Sequence, residues 1–148
     1  MLARVAVEHA NAGRTVGILV HRTELLEQVA DKLRTYGLRF GRIESGAPTA
    51  SHEQVQVAMA QTARRRMKTT PWDVVICDEA HRDEFKVAIN STPRWLYGFT
   101  ATPWRADGRL FSWYPDGMIE ATTYSQAIAG GYIVPCRVFA PDVPDLSD

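Results

Sequence analysis

The chain has 148 residues, enough for one domain with a core of its own, and its 45% hydrophobic and 23% charged content is that of an ordinary globular protein. A formal net charge of zero removes any bulk electrostatic case for a nucleic-acid binder, and the two distant cysteines, Cys77 and Cys136, supply neither a disulfide framework nor a Cys-x-x-Cys zinc site. No apolar run reaches membrane-spanning length and the first residues show no signal-peptide pattern, so the expectation is a soluble, cytoplasmic chain with no membrane partner.

Leu2, Val5, Ala6 and Ala10 recur at helical spacing, and Asn11-Ala12-Gly13 ends the pattern. This helix begins at or beside Met1, with no capping residue for its free N–H groups. Residues 15–21 form a buried-strand run. Thr23 then caps a second helix, with Glu24 in its first turn where negative charge meets the positive end of the macrodipole. Leu26, Val29, Ala30 and Leu33 are its apolar stripe, and Gly37 stops it. A strand is expected over 38–43, a loop over 44–52, a strand over 55–60 and a short basic helix over 61–68.

Residues 72–77 read as a strand buried on both faces, because Val74-Val75-Ile76-Cys77 is an uninterrupted, β-branched apolar run. Phe85, Val87, Ala88 and Ile89 suggest a helix. A strand follows over 94–99, then an irregular aromatic loop over 104–117. A short helix over 124–128 is stopped by Gly130-Gly131, and a strand is expected over 132–140, with Pro135 arguing against a central placement. Pro141, Pro144 and the acids around them make a linker-like tail. Strands alternating with helices predict βαβ units: an α/β fold with a mainly parallel sheet and flanking helices.

The chemistry centres on Asp78-Glu79-Ala80-His81, directly after the 72–77 strand. Carboxyl ends of strands are where open α/β sheets bind ligands. Two acids there suit a divalent cation and an attacking water; an exposed acidic turn is the plainer alternative. The tetrapeptide resembles the Walker B box, motif II, of the DEAD/DEAH helicases of superfamily 2. Thr100-Ala101-Thr102, after the next strand, matches that family's Ser/Thr-Ala-Thr motif III. Leu19-Val20-His21-Arg22-Thr23-Glu24-Leu25-Leu26 resembles motif Ia, and Val57-Ala58-Met59-Ala60-Gln61-Thr62 resembles its strand-end Gln-Thr element. Gly-Phe-Thr-Ala-Thr-Pro-Trp-Arg-Ala-Asp-Gly over 98–108, and Gly131-Tyr132-Ile133-Val134-Pro135, are similar to the branch holding type III restriction subunits and related phage and bacterial DNA translocases. The resemblance runs over nearly the whole chain with its motifs in family order.

The resemblance implies a RecA-like P-loop NTPase lobe over residues 1–134 and, over 135–148, a connector toward a second domain. It implies that Asp78 holds Mg²⁺ through its waters and that Glu79 orients or deprotonates the water attacking ATP. His81 would link the nucleotide site to the strand-separating machinery, with Thr100 and Thr102 as coupling residues. His21, Arg22, Thr23, Gln61 and Thr62 would contact nucleic acid, DNA on branch resemblance. Arg22 and Thr23 also read as a helix cap with a solvated arginine, and the two readings are compatible.

A phosphate-cradling Gly-x-x-x-x-Gly-Lys-Ser/Thr loop does not occur in the sequence: none of Lys32, Lys68 and Lys86 follows a glycine. In the family this loop precedes the helix that opens the chain, and a second lobe supplies the arginine finger. The expectation is therefore an incomplete first lobe of an ATP-dependent DNA helicase or translocase, inactive alone, with the remaining helicase parts on another chain as a candidate partner. The alternative is a non-catalytic module, derived from such a lobe, that binds nucleic acid or a partner. Another P-loop enzyme, such as a kinase, would leave the Thr-Ala-Thr and His-Arg-Thr-Glu-Leu segments unexplained.

Overall fold

The computed structural model describes residues 1–46, 52–66, 72–85, 92–103 and 116–136. The chain divides into two compact units, Met1–Pro115 and Asp116–Asp148. In the first unit, helix α1 (Leu2–Asn11) leads to strand β1 (Val16–Val20), helix α2 (Thr23–Thr35), strands β2 (Gly41–Ile43) and β3 (Val55–Met59), and helix α3 (Ala60–Arg66). Strand β4 (Val74–Asp78), a 3₁₀ turn (Asp83–Phe85) and strand β5 (Trp95–Phe99) follow. The strands form one sheet in the order β2-β3-β1-β4-β5, and every pairing is parallel. The α/β class expected from the sequence is thus observed.

Strand β1 lies at the centre because both its faces are apolar. Val16, Ile18 and Val20 join a core with Ala3, Ala6 and Ala10 of α1 and Leu26, Val29 and Leu33 of α2. Leu19 points to the other face, where it packs with Ala63 of α3, Val75, Cys77 and Phe85. Gly17 lies on that second face under Trp72. A Cβ on Gly17 would stand 2.2 Å from Trp72 Cε3, so the indole rests directly on the strand backbone. The indole N–H donates to Gln56 Oε1 at 3.2 Å, which ties the ring to β3.

At the amino ends of the strands Thr15 and Asp73 clasp β1 to β4. Asp73 Oδ2 accepts from the Thr15 N–H at 2.8 Å and its hydroxyl at 2.9 Å, and the Asp73 N–H donates to Thr15 Oγ1 at 2.9 Å. These bonds to the charged form hold the Asp73 carboxyl below its usual range.

A second tether joins α1 to β5. Arg14 Nη1–H donates to His9 Nδ1 at 3.0 Å; the imidazole is then the Nε2–H tautomer, which donates to Tyr97 Oη at 3.0 Å. Arg14 also stacks on Trp95, 4.1 Å from the ring centre. Burial, and then the Arg14 charge, push the His9 pKa down. The unfolded chain takes up this proton near pH 6.5 while the folded chain does not. The contribution is fully present above that pH and is lost as the pH falls below it. His9→Gln, which keeps an acceptor for Arg14, is expected to flatten the fall in unfolding free energy between about pH 7 and 5. Urea denaturation across that range reads the slope, and an unaltered slope would remove His9 from the account.

Two expectations are corrected. Thr23 is not the cap of α2: Arg22 holds the capping position with extended backbone and no side-chain cap bond, and Thr23 is already helical. The threonine hydroxyl is thus one residue too late to reach the amides of the first turn. Residues 132–136 are not strand. In the second unit, helix α4 (Tyr124–Ala129) opens with a capping box between Thr123 and Gln126. It closes through bonds from the Gly131 N–H to Ile128 O and the Tyr132 N–H to Ala127 O, with Gly131 at φ +70°. The Cys136 N–H then goes to Tyr124 Oη at 3.1 Å. Amides spent on the helix end and on a phenol do not build a ladder. The helix expected from Phe85, Val87, Ala88 and Ile89 falls on residues 86–91, which lie outside the described residues, beyond the 3₁₀ turn at Asp83–Phe85. Most of the 104–117 loop and the tail beyond 136 also lie outside them. Among the described residues no helix is long and apolar enough to cross a membrane.

Candidate functional site

An all-parallel sheet delivers every strand's carboxyl end to one rim. His21 follows β1, Ala60 follows β3, Asp78 ends β4 and Thr100 follows β5. From β1 the sheet grows outward in both directions, through β3 and β2 on one side and β4 and β5 on the other. The crevice outside such a switch point is the usual ligand site of open α/β sheets.

Asp78 pairs in register with Phe99. Its Oδ1 accepts from the Glu79 N–H at 3.2 Å. Burial, and then the Glu79 charge, raise the Asp78 pKa; the Glu79 N–H and the His21 charge oppose the rise. Glu79 leaves the strand at φ +56°, a left-handed conformation that costs a non-glycine residue about 1–3 kcal/mol. The surroundings hold it there: the next N–H, of Ala80, donates to Phe99 O at 2.9 Å, and Ala80 is buried. The acidic turn is thereby bolted to the end of β5.

The same strand adjacency brings His81 to the Thr-Ala-Thr segment. His81 Nδ1 lies 2.9 Å from Thr100 Oγ1, 3.2 Å from Thr102 Oγ1 and 3.3 Å from Glu79 Oε2. The Thr102 N–H donates to Thr100 Oγ1 at 3.0 Å, which fixes the two hydroxyls beside each other.

A cleft of about 400 Å³ opens beside this cluster, lined by His21, Arg22, Glu24, Leu25, Gln28, Glu79, His81 and Arg82. It unites the turn after β1 with the turn after β4. Burial, followed by the Arg82 and Arg22 charges, lowers the His21 pKa. Gln61 is exposed and Thr62 half-buried in the first turn of α3, on the same rim but outside the cleft; Thr23 does not line it either. Sequence reasoning did not single out Arg82, Glu24 or Gln28 for the cleft. The last two lie one turn apart on the polar side of α2, a pattern that reads as an ordinary solvated face.

The donor set suits magnesium. Among the described residues no three His, Cys, Asp or Glu side chains gather as a cage for a metal ion. Mg²⁺ needs no such cage: it keeps several waters and takes one or two carboxylates with substrate phosphates. Asp78, a carboxylate made costly by burial and by its neighbour's charge, is the group a cation would relieve.

Comparison with known proteins agrees with this architecture. The family model described as "Type III restriction enzyme, res subunit" matches residues 1–105. A "51.5 kDa protein" of Lactococcus phage (isolate 7-9) is 28% identical over 141 residues, covering 91% of this chain and 28% of the phage protein. Among solved structures, the Sulfolobus solfataricus SWI2/SNF2 ATPase core in complex with dsDNA matches 68% of this chain and 24% of its own, with a TM-score of 0.53 and 17% identity. At that identity the likeness is one of fold. T4 UvsW matches 60% of this chain and 21% of its own, with a TM-score of 0.47 and 20% identity. The chain spans between about a fifth and three tenths of the length of each of these proteins.

Proposed function

Because the chain belongs to the type III restriction enzyme res-subunit family, within the superfamily 2 helicases, we propose that it is the first motor lobe of an ATP-dependent DNA translocase, contributing the metal-and-water half of the ATP site. The observation that carries this reading is the convergence of Asp78, Glu79, His81, Thr100 and Thr102 on one rim, made by the β4–β5 pairing. Asp78 would take a water-clad Mg²⁺, and that ion, when bound, supplies charge neutralisation at the phosphate oxygens. Glu79 would orient the attacking water and accept its proton. His81 and the two threonines tie this turn to the end of β5.

DNA is assigned to the same rim on the β1 and β3 sides. His21, Arg22 and Thr23 open α2, and Gln61 and Thr62 open α3. Helix starts with free amides beside an arginine suit backbone phosphates. The SWI2/SNF2 core described in complex with dsDNA supports duplex DNA as the polymer. The sequence has no glycine-lysine phosphate loop, so the lysine and amide cradle for the ATP phosphates is assigned to another part of the motor.

The test is Mg²⁺-dependent ATP hydrolysis, with and without duplex DNA, by a protein joining this lobe to a Walker A segment and a second motor lobe. DNA-stimulated turnover is expected there and none from the 148-residue chain alone. A joined protein that binds DNA without turnover would replace the motor with a non-catalytic binding module. Turnover by the short chain itself would refute the division of labour.

A further inference from the structure

We propose that the outer edge of β5 is a self-association surface, on which two copies of this chain pair antiparallel across a two-fold axis at Tyr97. The dimer uses only the sheet and is independent of the motor function above.

The two edges of the sheet are built differently. Strand β2 has three residues, and its central Arg42 pairs with Glu27 and Glu44. A short, charged edge strand discourages pairing with another chain. Strand β5 runs Trp95-Leu96-Tyr97-Gly98-Phe99, with no charge and no proline. Among the described residues it pairs on one side only, with β4. Every residue of β1 is buried, and none of β5 is.

The backbone sets the register. In a parallel ladder alternate residues address the same neighbour. The Trp95 N–H donates to Asp73 O at 3.1 Å, and Phe99 O accepts from the Ala80 N–H at 2.9 Å. Trp95, Tyr97 and Phe99 thus spend their backbone groups on β4, and the N–H and C=O of Leu96 and Gly98 point outward. A two-fold axis at Tyr97 sets Leu96 of each copy opposite Gly98 of the other, and each such pair exchanges two hydrogen bonds.

The side chains suit the same register. Trp95, Tyr97 and Phe99 pack on the α1 face of the sheet and Leu96 on the other. Trp95 then stands opposite Phe99 of the second copy, and Tyr97 opposite its own equivalent. Such aromatic cross-strand pairs stabilise a sheet. Leu96 meets a residue with no side chain to displace. Aromatic residues at every second position make this strand complementary to itself, and a net charge of zero keeps the copies from repelling each other. A five-residue edge falls short of a standard interface of about 1,200–2,000 Å², so the dimer is weak and reversible.

Sedimentation velocity of the 148-residue chain from about 1 μM to about 1 mM brackets such an affinity. The mass is expected to rise from 16.6 kDa toward twice that value. Amide exchange locates the contact: the Leu96 and Gly98 N–H groups should slow as concentration rises, while those of Trp95 and Tyr97, already spent on β4, should not respond. Leu96→Pro removes an outward N–H that the single copy does not use, and should leave a folded monomer. In a Cys136→Ser background, Tyr97→Cys should give a disulfide-linked dimer on oxidation. Trp95→Cys, whose equivalent lies roughly 14 Å away along the strand, should not. A monomer at every concentration overturns the proposal, and so does a dimer that persists in folded Leu96→Pro. Leu96 and Gly98 amides protected equally at all dilutions also overturn it, because the edge is then covered within one chain. The exchange readout stands even if the variants fail to fold.

Discussion

Gly17→Ala is expected to lower the unfolding free energy by about 3–5 kcal/mol, the range for losing a buried large aromatic side chain. Alanine usually gains slightly over glycine in a strand, because the unfolded chain is less free. Here the new Cβ would lie 2.2 and 2.3 Å from two indole carbons of Trp72, distances no relaxation of a few tenths of an ångström cures. Neither partner has room to give. Gly17 is in the central strand, hydrogen-bonded on both sides, and Trp72 is 5% exposed and bonded to Gln56. The indole must leave, taking its packing with Leu19, Val75 and Cys77. Against a typical total stability of about 5–15 kcal/mol, that brings the chain near the edge of folding. Urea denaturation measures the loss, and a double-mutant cycle identifies its cause. In a Trp72→Ala background the same glycine substitution should cost little, and an undiminished cost there would mean that the clash is not the reason.

The second large effect is catalytic. In the joined motor, Glu79→Gln is expected to lower kcat for ATP hydrolysis by about 10²–10⁴-fold, the usual contribution of a positioned general base. Shape and hydrogen bonding to water are kept, and only the capacity to take the proton is lost. The KM for ATP and the affinity for DNA should be unaltered, because no ground-state contact of either is assigned to this carboxylate. Steady-state kinetics with duplex DNA make the separation. A normal kcat would reduce Glu79 to an ordinary turn residue, and a loss shared between kcat and DNA affinity would point to a distorted rim.

What could be read from the sequence follows from what each pattern records. The strands at 16–20 and 74–78 were legible because a strand covered on both faces needs an unbroken apolar run, and short runs bounded by polar turns leave little else. The acids at the end of β4 were legible as adjacent residues. Their meeting with Thr100 and Thr102 came only through resemblance, because strand adjacency in a parallel sheet is set by crossovers that no local pattern encodes. Residues 132–136 are not strand for a related reason: hydrophobic pattern does not reveal that the amides of Gly131, Tyr132 and Cys136 are already engaged by α4 and Tyr124. Thr23 failed by one residue, within the normal uncertainty of a helix end. Gly17 looked like a mild flaw in a strand, since Trp72 meets it only in three dimensions.

The left-handed backbone at Glu79 bears on how this sequence drifts. Glycine or asparagine would occupy that conformation at lower cost, so a lobe without catalytic duty would gain stability by giving up the carboxylate. The two candidate histories therefore favour different residues at one site: selection for hydrolysis holds a glutamate in an uncomfortable conformation, and selection for binding alone lets it go.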